Sequence, residues 1–244
     1  MSFAVMQLPE RSAVHDQYLA LSRLQETAQA DAFAGRLLLR AAFDTDGIAV
    51  VLASSVAGAA SLCLEAEGEL LREGLRAGFC DFVVGPLDEA LRILKNELRR
   101  GRSISVGVAA DPESCIAEMV ERGLQPDLVS SSTAASRAWT ILRERGAAVV
   151  PAAAFPEPRA LVEWSADPAA SMSALAQLAV NALDPEQPDT AARRRWLERS
   201  PAYLGRRLGG RQCLRMTPAE IAIFLPGVQT LFPAASVTVD GAGA

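Results

Sequence analysis

The best candidate functional residues of this chain come immediately after a short apolar run at 36–41. The turn after that run reads Ala-Phe-Asp-Thr-Asp-Gly and ends with Asp44, Thr45, Asp46 and Gly47. A turn that binds a diphosphate normally needs several glycines, so that backbone N–H groups can approach the phosphates. Two carboxylates oppose that chemistry, because like charges about 4 Å apart repel by about 4 kcal/mol at an effective dielectric constant of 20. The turn therefore predicts weak diphosphate binding and suits a hydroxyl-rich or cationic ligand; alternatively, one of these side chains only caps a helix, contributing about 1 kcal/mol.

An acidic residue stands just past the next apolar run. Glu67 follows Gly47 at roughly 20 residues, the interval at which an acid binds the ribose hydroxyls of a dinucleotide. The alternative is a solvated carboxylate at the start of a helix, where the helix dipole favours negative charge. Glu67 is therefore a candidate cofactor-binding residue that also has a simple structural explanation.

Polar residues follow two later apolar runs, at the same predicted edge of a sheet. Asp111 follows one run, and Ser131, Ser132 and Thr133 follow the other, directly after Ser130. Ligands bind at the carboxyl ends of parallel strands, so these side chains are candidates to hydrogen-bond a small polar molecule. The alternative is that Asp111 caps one helix and the hydroxyls cap another that begins near Thr133.

A cluster of positive charge lies towards the end of the chain. It contains eight arginines: Arg193, Arg194, Arg195, Arg199, Arg206, Arg207, Arg211 and Arg215. Arg206, Arg207 and Arg211 are candidate anion-binding residues, because guanidinium groups form paired hydrogen bonds with phosphate or carboxylate. Trp196 and Tyr203 are predicted to offer stacking surfaces. The alternative is a solvated face that pairs with acidic helices of this chain or of a second subunit, as in a homodimer.

Composition narrows the classes of partner. The formal net charge of −5 gives no general attraction to nucleic acid, and no nucleic-acid-binding motif is present. No apolar run reaches the roughly 18 to 20 residues of a membrane span, and the first residues do not resemble a signal peptide. The four cysteines form no C-x-x-C pair, and the single histidine, His15, is expected on the surface of a helix. We therefore predict no metal site, no membrane partner, and a cytoplasmic protein with buried, reduced thiols.

Short apolar runs alternate with helical runs between residues 32 and 151. We predict strands at 36–41, 60–66, 79–84, 103–109, 128–129 and 147–150, with helices at 48–57, 69–77, 86–100, 112–122 and 133–145. This alternation is typical of an α/β protein with a Rossmann-like parallel sheet and helices on both faces. Periodicity alone leaves a second assignment open, with a strand at 48–53 and one long helix at 54–76.

The flanking segments have a different pattern. Residues 1–31 are predicted to form an arm and a helix that starts at Ser12, ahead of the Rossmann-like domain at 32–151. The remainder, 152–244, is predicted to be a mainly helical extension. Its predicted helices lie at 168–183, at 190–199 and after Thr217, where Thr-x-x-Glu has the spacing of a capping box. Residues 239–244 are expected to be frayed.

The Rossmann-like segment resembles the urocanase (urocanate hydratase) family over roughly residues 32–135. The short segments that resemble the family occur in the family's order, at 34–38, 64–67, 75–79, 87–91, 105–108 and 122–129. The resemblance implies a Rossmann-like domain, which in that family holds NAD⁺ tightly. In that family the cofactor acts as an electrophile: it forms a bond to the imidazole of the substrate while water is added to the substrate.

The positions that correspond to the family's cofactor residues are altered. The family has a multi-glycine turn ending in Gly-Ala-Gln, whereas the stretch 44–50 keeps only Gly47 and Ala49. A family Gly-Asn corresponds to Ala110-Asp111, and a family Asp-Gln-Thr corresponds to residues 131–133. We find no counterpart of the family's substrate-binding regions and no nucleophile–base pair.

The leading hypothesis is a urocanase-related domain without hydratase activity that binds a small polar ligand or a partner. No bound cofactor is expected, although the resemblance implies NAD. The alternative is an active lyase of the urocanate hydratase type with a modified NAD pocket. A third hypothesis is an anion-dependent scaffold that uses the arginine cluster.

Overall fold

The computed structural model describes residues 7–28, 33–131, 136–151, 159–167, 170–204 and 210–240. The chain divides into two compact units, residues 1–152 and 153–244.

The first unit alternates strands and helices along most of its length. Its strands are β1 (Leu37–Ala41), β2 (Ala60–Glu65), β3 (Phe82–Val84), β4 (Ser105–Ala109), β5 (Leu128–Ser131) and β6 (Ala148–Val149). Its helices are α1 (Arg11–Ala28), α2 (Thr45–Ala57), α3 (Gly68–Ala77), α4 (Leu87–Arg99), α5 (Pro112–Glu121) and α6 (Arg137–Glu144). The predicted α/β alternation is confirmed. The second assignment is wrong, because residues 48–53 lie within α2.

All six strands form one parallel sheet in the order β3-β4-β2-β1-β5-β6. On one side of β1 lie β2, β4 and then β3 at the edge, and on the other side lie β5 and β6. Ala41 is level with Leu64 of β2 and with Ser131 of β5. The carboxyl ends of the three central strands therefore meet at a topological switch point, which is where ligands bind in open α/β sheets.

Helices cover both faces of this sheet. On one face, the apolar core includes Leu39, Leu62, Val106 and Val129 of the strands with Leu94 of α4, Met119 of α5 and Trp139 of α6. On the other face, α2 is buried from Gly47 to Ala57, because α1 packs against its outer side.

The N-terminal helix corrects one sequence-based prediction. His15 is fully buried in α1, so the expected surface position is wrong. Tyr18 and Leu19 of the same helix are also buried, because α1 packs against α2. His15 is therefore part of the packing of this unit.

The second unit combines three helices with a small antiparallel sheet. Its elements are β7 (Ala160–Ser165), α7 (Ala170–Ala182), α8 (Thr190–Leu204), β8 (Gln212–Met216), α9 (Pro218–Leu231) and β9 (Ser236–Asp240). The strand order is β8-β7-β9. The mainly helical character is confirmed, and α9 begins with the predicted capping box between Thr217 and Glu220. The sheet was not predicted, and the expected fraying is wrong for residues 239 and 240, which pair with β7.

Buried charges connect the elements of the second unit. Arg193 of α8 is fully buried, with its Nε 3.1 Å from Asp189 Oδ1, and its Nη1 donates to Glu220 Oε2 at 2.7 Å. Arg159 forms a second ion pair with Asp189. A buried charge is tolerated when partners compensate it, and removing one partner is strongly destabilising. Arg193, one of the arginines of the predicted basic cluster, is therefore a structural residue of this unit.

Replacing Glu220 with glutamine should destabilise the protein, because Arg193 would keep its buried charge and lose one carboxylate partner. We expect the free energy of unfolding at neutral pH to fall by about 3 kcal/mol, measured by urea titration with circular dichroism. The matched control is Glu198→Gln at an exposed position of α8, which should change it by less than about 0.5 kcal/mol.

The effect of Glu220→Gln also depends on pH. Burial alone raises the pKa of Glu220, but hydrogen bonds from Arg193 and from the backbone N–H groups of Thr217 and Asp184 outweigh it and hold the pKa below its ordinary value. The stabilisation is therefore present above the unfolded-state pKa of about 4.3, and it is lost as the pH falls through the lower folded-state pKa. The difference between wild type and variant should shrink below about pH 4; a constant difference down to roughly pH 3 would contradict this assignment.

Candidate functional site

The turn after β1 is held closed by the protein's own groups. Ala42 has a left-handed backbone with φ of 73°, and its N–H donates to the carbonyl of Leu64 at 3.0 Å. The ring of Phe43 is buried against Gly74 of α3, where an added Cβ would lie 2.3 Å from the ring. These contacts tie the turn to β2 and α3.

The acid that contacts this turn is Glu65, the last residue of β2. Its Oε2 accepts from the N–H of Phe43 and its Oε1 from the N–H of Glu67, both at 2.9 Å. Glu67, the predicted ribose-binding residue, is exposed at the start of α3, and its side chain makes no capping bond there. Sequence reasoning missed Glu65, although its place at the end of the predicted strand was the available signal.

The four candidate residues of the turn have different roles in the structure. Asp44 caps α2, because its Oδ1 accepts from the N–H of Gly47 at 2.7 Å. Thr45 donates to the carbonyl of Gln7 at 3.2 Å, and Asp46 is exposed. The capping role that sequence analysis left open thus falls to Asp44.

Arg40 is the central residue of this region, and sequence reasoning missed it. It lies in β1 opposite Cys63 and Ser130 and is only 3% exposed. Its Nε donates to Ala42 O at 3.2 Å and its Nη1 to Ser130 Oγ at 3.1 Å. Its Nη2 forms an ion pair with Asp44 Oδ1 at 2.7 Å. The signal in the sequence was a lone charge near the end of an otherwise apolar central strand.

Gly47 makes room for Arg40. An added Cβ at this position would lie 2.5 Å from the carbonyl oxygen of Ala42 and 3.0 Å from Arg40 Nε. Gly47 is in the first turn of α2, so the glycine accommodates the guanidinium and the turn carbonyl. A cation beside a helix N-terminus is unfavourable by itself, and Asp44 offsets that cost.

The other candidate residues of this edge are Asp111 and the hydroxyl residues that follow Ser130. Asp111 is exposed and caps α5, accepting from the N–H of Ser114 at 2.9 Å and from its hydroxyl at 2.6 Å; these bonds lower the pKa of Asp111. Ser131 ends β5, whereas Ser132 and Thr133 lie outside the described residues.

The start of α6 differs from its predicted position near Thr133. The helix begins at Arg137 and is capped by Ser136, whose hydroxyl oxygen accepts from the N–H of Trp139 at 3.2 Å. The capping role suggested for Ser130 and the residues after it is therefore taken by Ser136.

The arginine cluster is only partly at the surface. Trp196 is fully buried and donates to the carbonyl of Cys213 at 2.8 Å, so its predicted stacking role is wrong. Arg211 is exposed, 4.0 Å from Glu163. Arg206 and Arg207 lie outside the described residues, and anion binding by this segment stays a prediction.

The thiols offer no reactive group at this site. All four cysteines are buried and free of disulfides. Burial raises the pKa of Cys63 well above its ordinary value and that of Cys80 to about 11, so both thiols are protonated at neutral pH. Among the described residues, no group of three or more acidic, cysteine or histidine side chains is arranged to hold a metal ion. None of the helices in the described ranges has the length and apolar character needed to cross a membrane.

The strand order defines a doubly wound α/β protein with its topological switch point between β1 and β5. A family model, the urocanase Rossmann-like domain, matches residues 12–144. The chain therefore belongs to the urocanase family through this domain. The match begins within α1, ahead of the resembling segment 32–135, and includes all of the elements from β1 to α6.

The left-handed backbone of Ala42 gives a prediction. Replacing Ala42 with glycine should raise the free energy of unfolding by about 1 kcal/mol, because glycine adopts this conformation without steric cost. The control is Ala41→Gly, one residue earlier in the extended strand β1, which should lower it by about 1 kcal/mol. Urea titration measures both. Equal losses in the two variants would show that Ala42 is not under backbone strain.

Proposed function

We propose that this chain is a ligand-binding member of the urocanase family without hydratase activity, and that it binds a small polar molecule at the carboxyl ends of β1 and β5. The observation that carries this proposal is the ion pair between Arg40 and Asp44. It occupies the turn at which a Rossmann-like domain receives the diphosphate of a dinucleotide.

The turn does not fit NAD held in the family's manner. Such binding needs free backbone N–H groups at the turn and at the start of the following helix. Here the N–H groups of Ala42, Phe43 and Gly47 already donate to Leu64, Glu65 and Asp44. A diphosphate would have to displace these protein acceptors, and Asp44 and Glu65 would then stand as unpaired negative charges beside it.

The energetic cost of that displacement is substantial. A hydrogen bond to a charged group contributes about 1.5–3 kcal/mol, and two such bonds meet at Asp44 Oδ1. Losing both would weaken binding by at least about a hundredfold. The local architecture therefore favours a ligand without a diphosphate.

The groups closest to the turn are engaged by the protein's own atoms, which does not favour acid–base catalysis there. A catalytic acid or base must be within hydrogen-bond reach of the reacting atoms. Both oxygens of Glu65 accept backbone N–H groups, and the hydroxyl of Ser130 is bonded to Arg40. His15 is buried in α1. These engagements support binding without hydration of urocanate. The family match favours the alternative, a urocanate hydratase-type lyase with a modified NAD pocket.

Two measurements on the purified wild-type chain separate these functions. The protein is denatured and the released NAD is quantified; urocanate is then mixed with native protein, with and without added NAD⁺, and its ultraviolet absorbance is followed. We expect less than about a tenth of an equivalent of NAD, as weak binding implies, and no loss of urocanate. Stoichiometric NAD would contradict the weak binding proposed here and favour the lyase, and catalytic loss of urocanate would establish the lyase.

A thermal-shift panel tests the binding role directly. Ribose, adenosine, inorganic phosphate, acetate and NAD⁺ each sample one chemical class, and a ligand at 100 times its dissociation constant should add about 2.7 kcal/mol of stability. We expect a saturable shift with a small polar compound and none with NAD⁺. A shift confined to NAD⁺ would contradict the proposal.

A further inference from the structure

We infer that Arg40 anchors one anionic group, a carboxylate or a phosphate, of the ligand bound at the β1–β5 switch point, and that Asp44 competes for the same guanidinium. The inference rests on the proposed function and deepens it by naming the chemical class that the site recognises.

The position of Arg40 is unusual for a structural cation. It lies in the central strand of a parallel sheet, with Leu39 and Ala41 on either side buried in the apolar core. It also lies beside the N-terminus of α2, where positive charge is disfavoured. Arg193, which is buried for structural reasons in the second unit, has two carboxylate partners, Asp189 and Glu220. Arg40 has one.

The hydrogen-bond donors of Arg40 are only partly used. A guanidinium has five N–H groups, and in the described part of the chain three of them have acceptors: Ala42 O, Ser130 Oγ and Asp44 Oδ1. The two that remain belong to Nη1 and Nη2. Two N–H groups on the terminal nitrogens are what a carboxylate or a phosphate uses in a bidentate contact.

Asp44 is placed to compete with such an anion. Its side chain is 45% exposed, so the ion pair is open to solvent on the aspartate side. Both of its bonds, to Arg40 Nη2 and to the N–H of Gly47, use Oδ1. An anion approaching Arg40 is repelled by Asp44 or replaces it, and in either case the carboxylate weakens binding.

The site is suited to a single anionic group. The backbone N–H groups of Ala42, Phe43 and Gly47 donate to Leu64, Glu65 and Asp44, whereas the side chain of Arg40 keeps two donors without an acceptor among the described residues. Ser130 adds a hydroxyl from the neighbouring strand. The ligand class is therefore a small molecule with one carboxylate or one phosphate.

The experiment compares anion binding in variants of the full chain at constant ionic strength. Inorganic phosphate and acetate are titrated separately, by calorimetry and by thermal shift, so that the two kinds of anion are distinguished. Asp44→Asn keeps an N-cap side chain of equal quality and removes the competing charge, so we expect its dissociation constant to be at least about tenfold lower than that of wild type. Arg40→Met should abolish binding.

The matched control is Arg36→Met. Arg36 stands just before β1, at the other end of the strand, and pairs with Asp127 at 2.6 Å, with 56% of its side chain exposed. Its loss should leave both titrations unchanged. If Arg40→Met does not fold by circular dichroism, Arg40→Lys keeps the charge without the paired donors, and should weaken binding by about tenfold or more.

Three results would overturn the inference: equal dissociation constants for wild type and Asp44→Asn, undiminished binding by Arg40→Lys, or loss of the anion effect in Arg211→Ala. The last would place the anion on the arginine cluster. The proposed function fails separately, through NAD release or urocanate loss in the unsubstituted protein, and neither readout depends on Arg40-directed anion binding.

Discussion

A single ion pair, Arg40 with Asp44, sets the character of the candidate site. The guanidinium is buried in the central strand and reaches the next strand through Ser130 and the turn through the carbonyl of Ala42. Asp44 neutralises it and also caps α2. Because the cation lies beside the positive end of a helix, this carboxylate supports both the strand and the helix, and the glycine at position 47 is needed to fit them together.

The surrounding contacts fix the turn after β1 within the family's fold. The parallel sheet and its apolar core depend on buried strands and packed helices. The turn itself is fixed by Glu65 and by the packing of Phe43 on Gly74. The N–H groups of Ala42, Phe43 and Gly47 thus donate to acceptors of the protein itself, and the guanidinium of Arg40 lies beside them.

The second unit uses charge in a different way. Arg159, Asp189, Arg193 and Glu220 form a buried chain of ion pairs that links β7, α8 and α9. Buried pairs of this kind stabilise only when each charge has its partners. The same residue type, arginine, is paired with two carboxylates at Arg193 and, among the described residues, with one at Arg40, where we propose the ligand contact.

The sequence by itself determined the alternation of strands and helices, the family, the acidic turn and the caps at Asp111 and Thr217, and it narrowed the cap of α2 to residues 44–46. Each depends on residues that are neighbours along the chain, through burial periodicity, capping geometry or family spacing. Only the tertiary structure decided that Arg40 meets Ser130, 90 residues away, that Glu65 instead of Glu67 contacts the turn, and that β7 pairs with β8 and β9. The burial of His15, Trp196 and Arg193 belongs to the same group. These features depend on which distant elements pack together, and a hydrogen bond or an ion pair exists only once that packing brings both partners within about 3 Å.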